Sequence, residues 1–130
     1  MSIPQRRMEA GAVGEIVGIA RFKFHEGKAE EYKRLSAEAM EIVRTKDSGT
    51  LGYDTYFNSD ESECVIVERY RDSEAAMAHA ANLGHLFDAV LSTVTVVHGE
   101  LLGEPSPELR ANLAGSDVPV LFTPYRTWRP

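Results

Sequence analysis

Between Glu15 and His25 the residues Ile16, Val17, Ile19, Phe22 and Phe24 are mixed with Gly18, Ala20, Arg21 and Lys23. This length and composition read as a strand. Ala20, Phe22 and Phe24 form one face and Val17 and Ile19 lie on the other, the pattern of a sheet covered on both sides. After a His25-Glu26-Gly27 turn the period changes: Ala29, Tyr32, Leu35, Ser36, Ala39, Ile42 and Val43 recur at helical spacing to about Lys46, with charged residues between them. Asp47, Ser48 and Gly49 break that pattern. Thr50 to Phe57 and Glu63 to Tyr70, joined by an Asn58-to-Glu61 turn, read as an antiparallel hairpin. Asp72 or Ser73 can cap a second helix with Ala76, Ala80 and Leu83 on its apolar side, and Gly84 marks its end or a kink before a shorter helical turn. Thr93 to Leu102 is the fourth strand.

The resulting order, β-α-β-β-α-β, predicts an α+β fold of the ferredoxin-like type: a four-stranded antiparallel sheet with both helices on one face. The other face is also apolar, so a twofold mate is expected to cover it, giving a homodimer through the sheet face. The domain is expected to span residues 15–103, after a flexible N-terminus (1–14). Residues 104–130 form a Pro-rich extension with a short helical candidate from Ser106 to Leu113. Its Leu121, Phe122, Tyr125 and Trp128 are expected to pack on the body or on the partner subunit.

Composition narrows the functions available. A formal charge of −6 argues against a nucleic-acid partner, whose phosphates are bound by clustered Lys and Arg. No stretch approaches the roughly 20 apolar residues of a membrane span. Cys64 stands alone, so no internal disulfide can form and a cytoplasmic location is expected. There is no phosphate-binding Gly-rich loop, G-x-S-x-G elbow, C-x-x-C or H-E-x-x-H. Gly49-Thr50-Leu51-Gly52 lacks the Lys of a phosphate loop and reads as a turn before a strand.

The informative segment runs from Glu68-Arg69-Tyr70-Arg71-Asp72-Ser73 through Ala78-His79 to Asn82, Gly84 and His85. It resembles the antibiotic biosynthesis monooxygenase family of dimeric α+β barrels, in which the third strand ends in E-x-W or E-x-Y. A serine-capped helix bearing A-H follows, with a second His about six residues later. Arg21 to Lys28 is similar to the family's first strand and P-G-K turn, and Gly49 to Tyr53 to its G-x-x-x-Y element. The resemblance covers roughly residues 15–102.

It implies the barrel-forming dimer and, in part of the family, oxygenases that convert phenolic or quinol substrates to quinones with no flavin, haem or metal. Other members degrade haem, isomerise substrates or have no known role. The haem-degrading branch carries Trp at the position of Tyr70 and Asn on the first strand, where this chain has Ile19 and Arg21. A cofactor-free oxygenase needs a base to deprotonate a phenol, so that the anion can pass an electron to molecular oxygen. His79 is the candidate base, with a hydrogen-bonded structural histidine as the alternative. His85 and Tyr70 are candidates for positioning the substrate oxygen. A metal shared by His79 and His85 lacks a spaced carboxylate or thiol, so none is expected. Tyr53, Tyr56, Phe22, Arg21, Asn82, Leu83 and Phe87 complete the set expected to bind a small aromatic or hydrophobic substrate. Alternation sends Tyr53 and Tyr56 to opposite faces of their strand. Arg21 and Arg69 have a plainer reading as ion-pair partners of Glu68 or of a partner-chain carboxylate. A binding protein without turnover, and an isomerase or cyclase, remain the alternatives.

Overall fold

The computed structural model describes residues 14–130; most of the expected flexible N-terminus thus lies outside the described residues. The chain forms β1 (Ile16–Phe24), α1 (Ala29–Lys46), β2 (Thr50–Phe57), β3 (Glu63–Tyr70), α2 (Ser73–Leu91), β4 (Val94–Leu102), α3 (Pro107–Leu113) and β5 (Val120–Phe122). The sheet order is β2-β3-β1-β4-β5. Its first four strands are antiparallel, in the ferredoxin-like arrangement that the alternating periods predict.

Two features of the expected fold are corrected. The sheet has five strands and is mixed: β5, from the C-terminal extension, pairs parallel to β4 through Glu100–Leu102. A three-residue strand is too short for a periodicity signal, and only the free edge of β4 makes it a strand. Gly84 neither ends nor interrupts α2. A glycine inside a helix costs about 1 kcal/mol relative to Ala, which the burial of Leu86 beyond it offsets. In the single chain the sheet is open.

Local chemistry fixes the helices. Glu30 and Glu31 in the first turn of α1 and Arg44 and Lys46 in its last oppose the helix dipole, and Tyr32, Leu35 and Ala39 bury one stripe. Asp72 caps α2 by accepting from the Ala75 N–H at 2.8 Å, a contact worth about 1 kcal/mol. Ser106 caps α3, and the Ser73 hydroxyl accepts from the Ser106 N–H at 2.9 Å, tying the extension to the start of α2. Leu109 of α3 then joins the buried cluster of Ile16, Tyr70, Ala75 and Leu101, with Leu121 of β5 against it.

Both helices cover the face carrying Phe22, Cys64, Ile66 and Glu68. Paired positions such as Arg21 with Val65 and Val17 with Leu102 point the other way. Past β5 the chain runs along one end of that second face, where Arg129 reaches Glu15 at 3.3 Å and Phe122 and Pro124 border a depression with Val17, Arg69 and Leu102. Tyr125 and Trp128 stay 87% and 78% exposed in the single chain. Among the described residues no helix is long and apolar enough to cross a membrane.

Candidate active site

Between the two helices and the sheet lies a cavity of about 130 Å³. Tyr32, Ser36 and Ala39 of α1 form one wall, Leu83, Leu86, Phe87 and Val90 of α2 another, and Phe22, Tyr53, Ile66 and Glu68 of the sheet the floor. Glu68 is the one charged group in this lining among the described residues. Phe87, 61% exposed, stands at the solvent side.

Behind Glu68 is a chain of polar contacts. The Tyr70 hydroxyl donates to Glu68 Oε1, and His79 Nε2 lies 3.7 Å from the same oxygen. On its other side His79 Nδ1 is 2.7 Å from Asp47 Oδ2. Thr50 donates to Asp47 Oδ2 at 2.7 Å and Asn82 to Oδ1 at 2.8 Å. The Asp47 side chain is 2% exposed. Burial alone pushes its carboxyl up, but hydrogen bonds from Asn82, Thr50 and His79, with the His79 charge, outweigh this and hold it below the usual range. An ionised Asp47 only accepts, so His79 keeps a proton on Nδ1 and turns Nε2 toward Glu68.

The rings of Tyr53 and Tyr70 flank the imidazole, each with its centroid 5.2 Å away, and fix its plane. Burial, then the charge of Glu68, raises both phenols above their ordinary value, so they remain protonated donors. Among the described residues no group of three or more His, Cys, Asp or Glu is arranged to hold a metal ion.

The description "Antibiotic biosynthesis monooxygenase" matches residues 16–86, more than half of the chain and all of the segment that builds this network. The chain belongs to the antibiotic biosynthesis monooxygenase family. Its fold recurs in solved structures. MupZ from Pseudomonas fluorescens is 24% identical, with a TM-score of 0.78 over 89% of each chain. Rv0793 from Mycobacterium tuberculosis is 25% identical, with a TM-score of 0.61 over 68% of this chain and 93% of its own. SnoaB from Streptomyces nogalater, described as a cofactor-independent oxygenase, is 20% identical, with a TM-score of 0.59 over 68% of this chain and 90% of its own. Among curated proteins nothing matches.

Within this family member the residues singled out from sequence fall into three groups. Phe22, Tyr53, Leu83 and Phe87 line the cavity. His79, Tyr70 and Asn82 sit behind it in the polar chain; His79 is only 6% exposed and meets the cavity through Glu68. His85, Arg21 and Tyr56 are elsewhere. His85 is exposed on α2, since six residues turn a helix through about 240° from His79. Arg21 and Tyr56 share a separate depression beside Val65.

Within the chain neither Arg21 nor Arg69 pairs with Glu68. Arg21 pairs with Glu63 at 2.8 Å and Arg69 approaches Glu15 at 3.8 Å. Strand alternation turns Glu68 to the helix face, away from both arginines. Sequence reasoning missed Asp47 and the site position of Glu68. The E-x-Y spacing held a signal for Glu68, because two residues along a strand put Glu68 and Tyr70 on one face. Asp47 gave none: as a helix-ending residue before Gly49 it reads as turn chemistry.

Proposed function

We propose that this family member is a cofactor-independent monooxygenase acting on a small phenolic, quinol or polyketide-like aromatic bound in the cavity. The observation that carries the reading is a single carboxylate, Glu68, in an otherwise uncharged wall, backed by an imidazole whose tautomer Asp47 sets. Glu68 takes the proton from the substrate hydroxyl and passes it to His79 Nε2, and the resulting imidazolium lies between two carboxylates. Tyr70 holds Glu68 in place from the other side. The substrate anion, in an apolar pocket, then supplies the electrons that reduce molecular oxygen. One oxygen atom enters the product and the other leaves as water, so the scheme asks for no flavin, haem or metal. The description of SnoaB as a cofactor-independent oxygenase supports the same chemistry.

The second reading is an isomerase or cyclase. It is favoured by the nearness of the carboxylate to His79 Nε2, 3.7 Å away, which can take a proton and return it to a different atom. Oxygen uptake over a panel of hydroquinones and anthrone-like phenols separates the two. An oxygenase consumes oxygen in step with product and loses uptake in His79→Ala. Turnover that persists without oxygen establishes the isomerase, and binding with no turnover of either kind establishes a carrier.

The proposal includes a homodimer formed by the second sheet face, which carries Val17, Ile19, Val65 and Val67, with Ile19 paired to Val67. Sedimentation should give twice the 14.4 kDa chain mass, and a clean monomer at micromolar concentration overturns it. A cytoplasmic location fits the buried, unpaired Cys64.

A further inference from the structure

Among the described residues the cavity lining includes no Lys or Arg. Its polar chain counts two carboxyl groups, Asp47 and Glu68, against one imidazole, and the Nδ1–H of that imidazole is already matched by Asp47. The cation near this network, Arg71, lies over Gly49 and is committed to Asp72 at 3.3 Å. No described residue of the lining can neutralise a negative ligand.

We infer that the site selects by charge: it takes a neutral, hydroxyl-bearing single ring and rejects the same ring carrying a carboxylate or phosphate. The deduction rests on the cavity being the substrate site proposed above, and it narrows the substrate class of that site. Burying an unpaired anion in an apolar pocket is costly, and here it also faces the Glu68 carboxylate. A neutral hydroxyl behaves differently. When it yields its proton to Glu68 and His79, the total charge of ligand plus site does not change, because the anion formed is balanced by the imidazolium formed. An anionic ligand arrives with a charge that no group here offsets. The size limit comes from volume: a cavity of about 130 Å³ is close to the roughly 150 Å³ that accepts one benzene ring. Anything larger has to extend past Phe87 into solvent.

The test is calorimetric titration of the full chain at neutral pH with hydroquinone, para-hydroxybenzamide and para-hydroxybenzoate. The amide and the carboxylate have nearly the same shape and differ in charge. The amide and hydroquinone are expected to bind about tenfold or more tighter than the carboxylate. Glu68→Gln should narrow that gap to about threefold, and Leu83→Lys, which puts an ammonium on the cavity wall, should reverse the order. Equal or tighter binding of the carboxylate by the unmodified chain overturns the inference, as does failure of all three rings to bind. The unmodified chain decides the matter even if Glu68→Gln fails to fold. Binding is read without turnover, so a missing oxygen uptake removes the oxygenase reading and leaves charge selection standing. Oxidation of anionic phenols in preference to neutral ones does the opposite.

Discussion

Replacing Asp47 by Asn keeps the size of the side chain and removes its charge. Both carboxylate oxygens of Asp47 accept: Oδ2 from Thr50 and His79, each at 2.7 Å, and Oδ1 from Asn82 at 2.8 Å. The amide's own NH2 group faces either Asn82, where a hydrogen bond is lost, or Thr50 and His79, which must then turn acceptor, and every bond that is kept becomes neutral. Hydrogen bonds to a charged group contribute about 1.5–3 kcal/mol and neutral ones about 1, which puts the loss at about 2–4 kcal/mol at neutral pH. For a domain of this size that lowers Tm by about 10 °C.

The pH dependence follows from the lowered Asp47 carboxyl. Its contribution is fully present above the unfolded value, about 3.9, and is lost as pH falls through the lower folded value. Calorimetric scans of both chains across the acid range should therefore show a gap in Tm that is largest well above 3.9 and closes below it. The amide also lets His79 carry its proton on Nε2, where it can no longer accept one from Glu68, and turnover should fall about 100-fold or more. A variant within about 1 °C of the native chain at neutral pH, or a gap that widens on acidification, refutes the account of Asp47.

Other consequences are open to the same kind of measurement. A Cβ at Gly49 would lie 2.5 Å from the Ala75 Cβ, so Gly49→Ala should cost about 1–3 kcal/mol in urea titrations, and the compensating Ala75→Gly should recover part of it. Leu86, buried against Leu35 and Ala39 on the cavity wall, should lose about 2–5 kcal/mol as Leu86→Ala in the same titration. Burial raises the phenols of Tyr32, Tyr53 and Tyr70. Their protonated forms therefore stabilise the fold below the unfolded value near 10 and cease to as pH rises past it. Alkaline unfolding followed by phenolate absorbance should be cooperative, and gradual titration of all tyrosines in a folded chain would contradict it. Glu68→Gln should abolish turnover while leaving far-ultraviolet circular dichroism unchanged; full activity in that variant rules Glu68 out as the base.

The element order was legible in the sequence because each segment keeps one hydrophobic period over eight or more residues: alternation in β1 (Ile16–Phe24) and helical spacing in α1 (Ala29–Lys46). Local chemistry also offered Asp72 beside Ser73 as the cap of α2, a role that Asp72 fills, and placed the start of α3 at Ser106, which caps it. The sequence further supplied His79, Tyr70 and Asn82 as polar residues near one another on β3 and α2. It could not join them to Asp47. His79 and Asp47 are 32 positions apart, and they meet only because Gly49 lets the turn after α1 press against Ala75 at the start of α2. Tertiary structure also decided that Glu68, rather than His79, faces the cavity, since only the packing of both helices on the sheet determines which polar group is left at a void. The same holds for β5 (Val120–Phe122), whose three residues pair because β4 offers a free edge. Periodicity encodes which side of an element is apolar. What lies opposite that side is set by the closure of the whole chain.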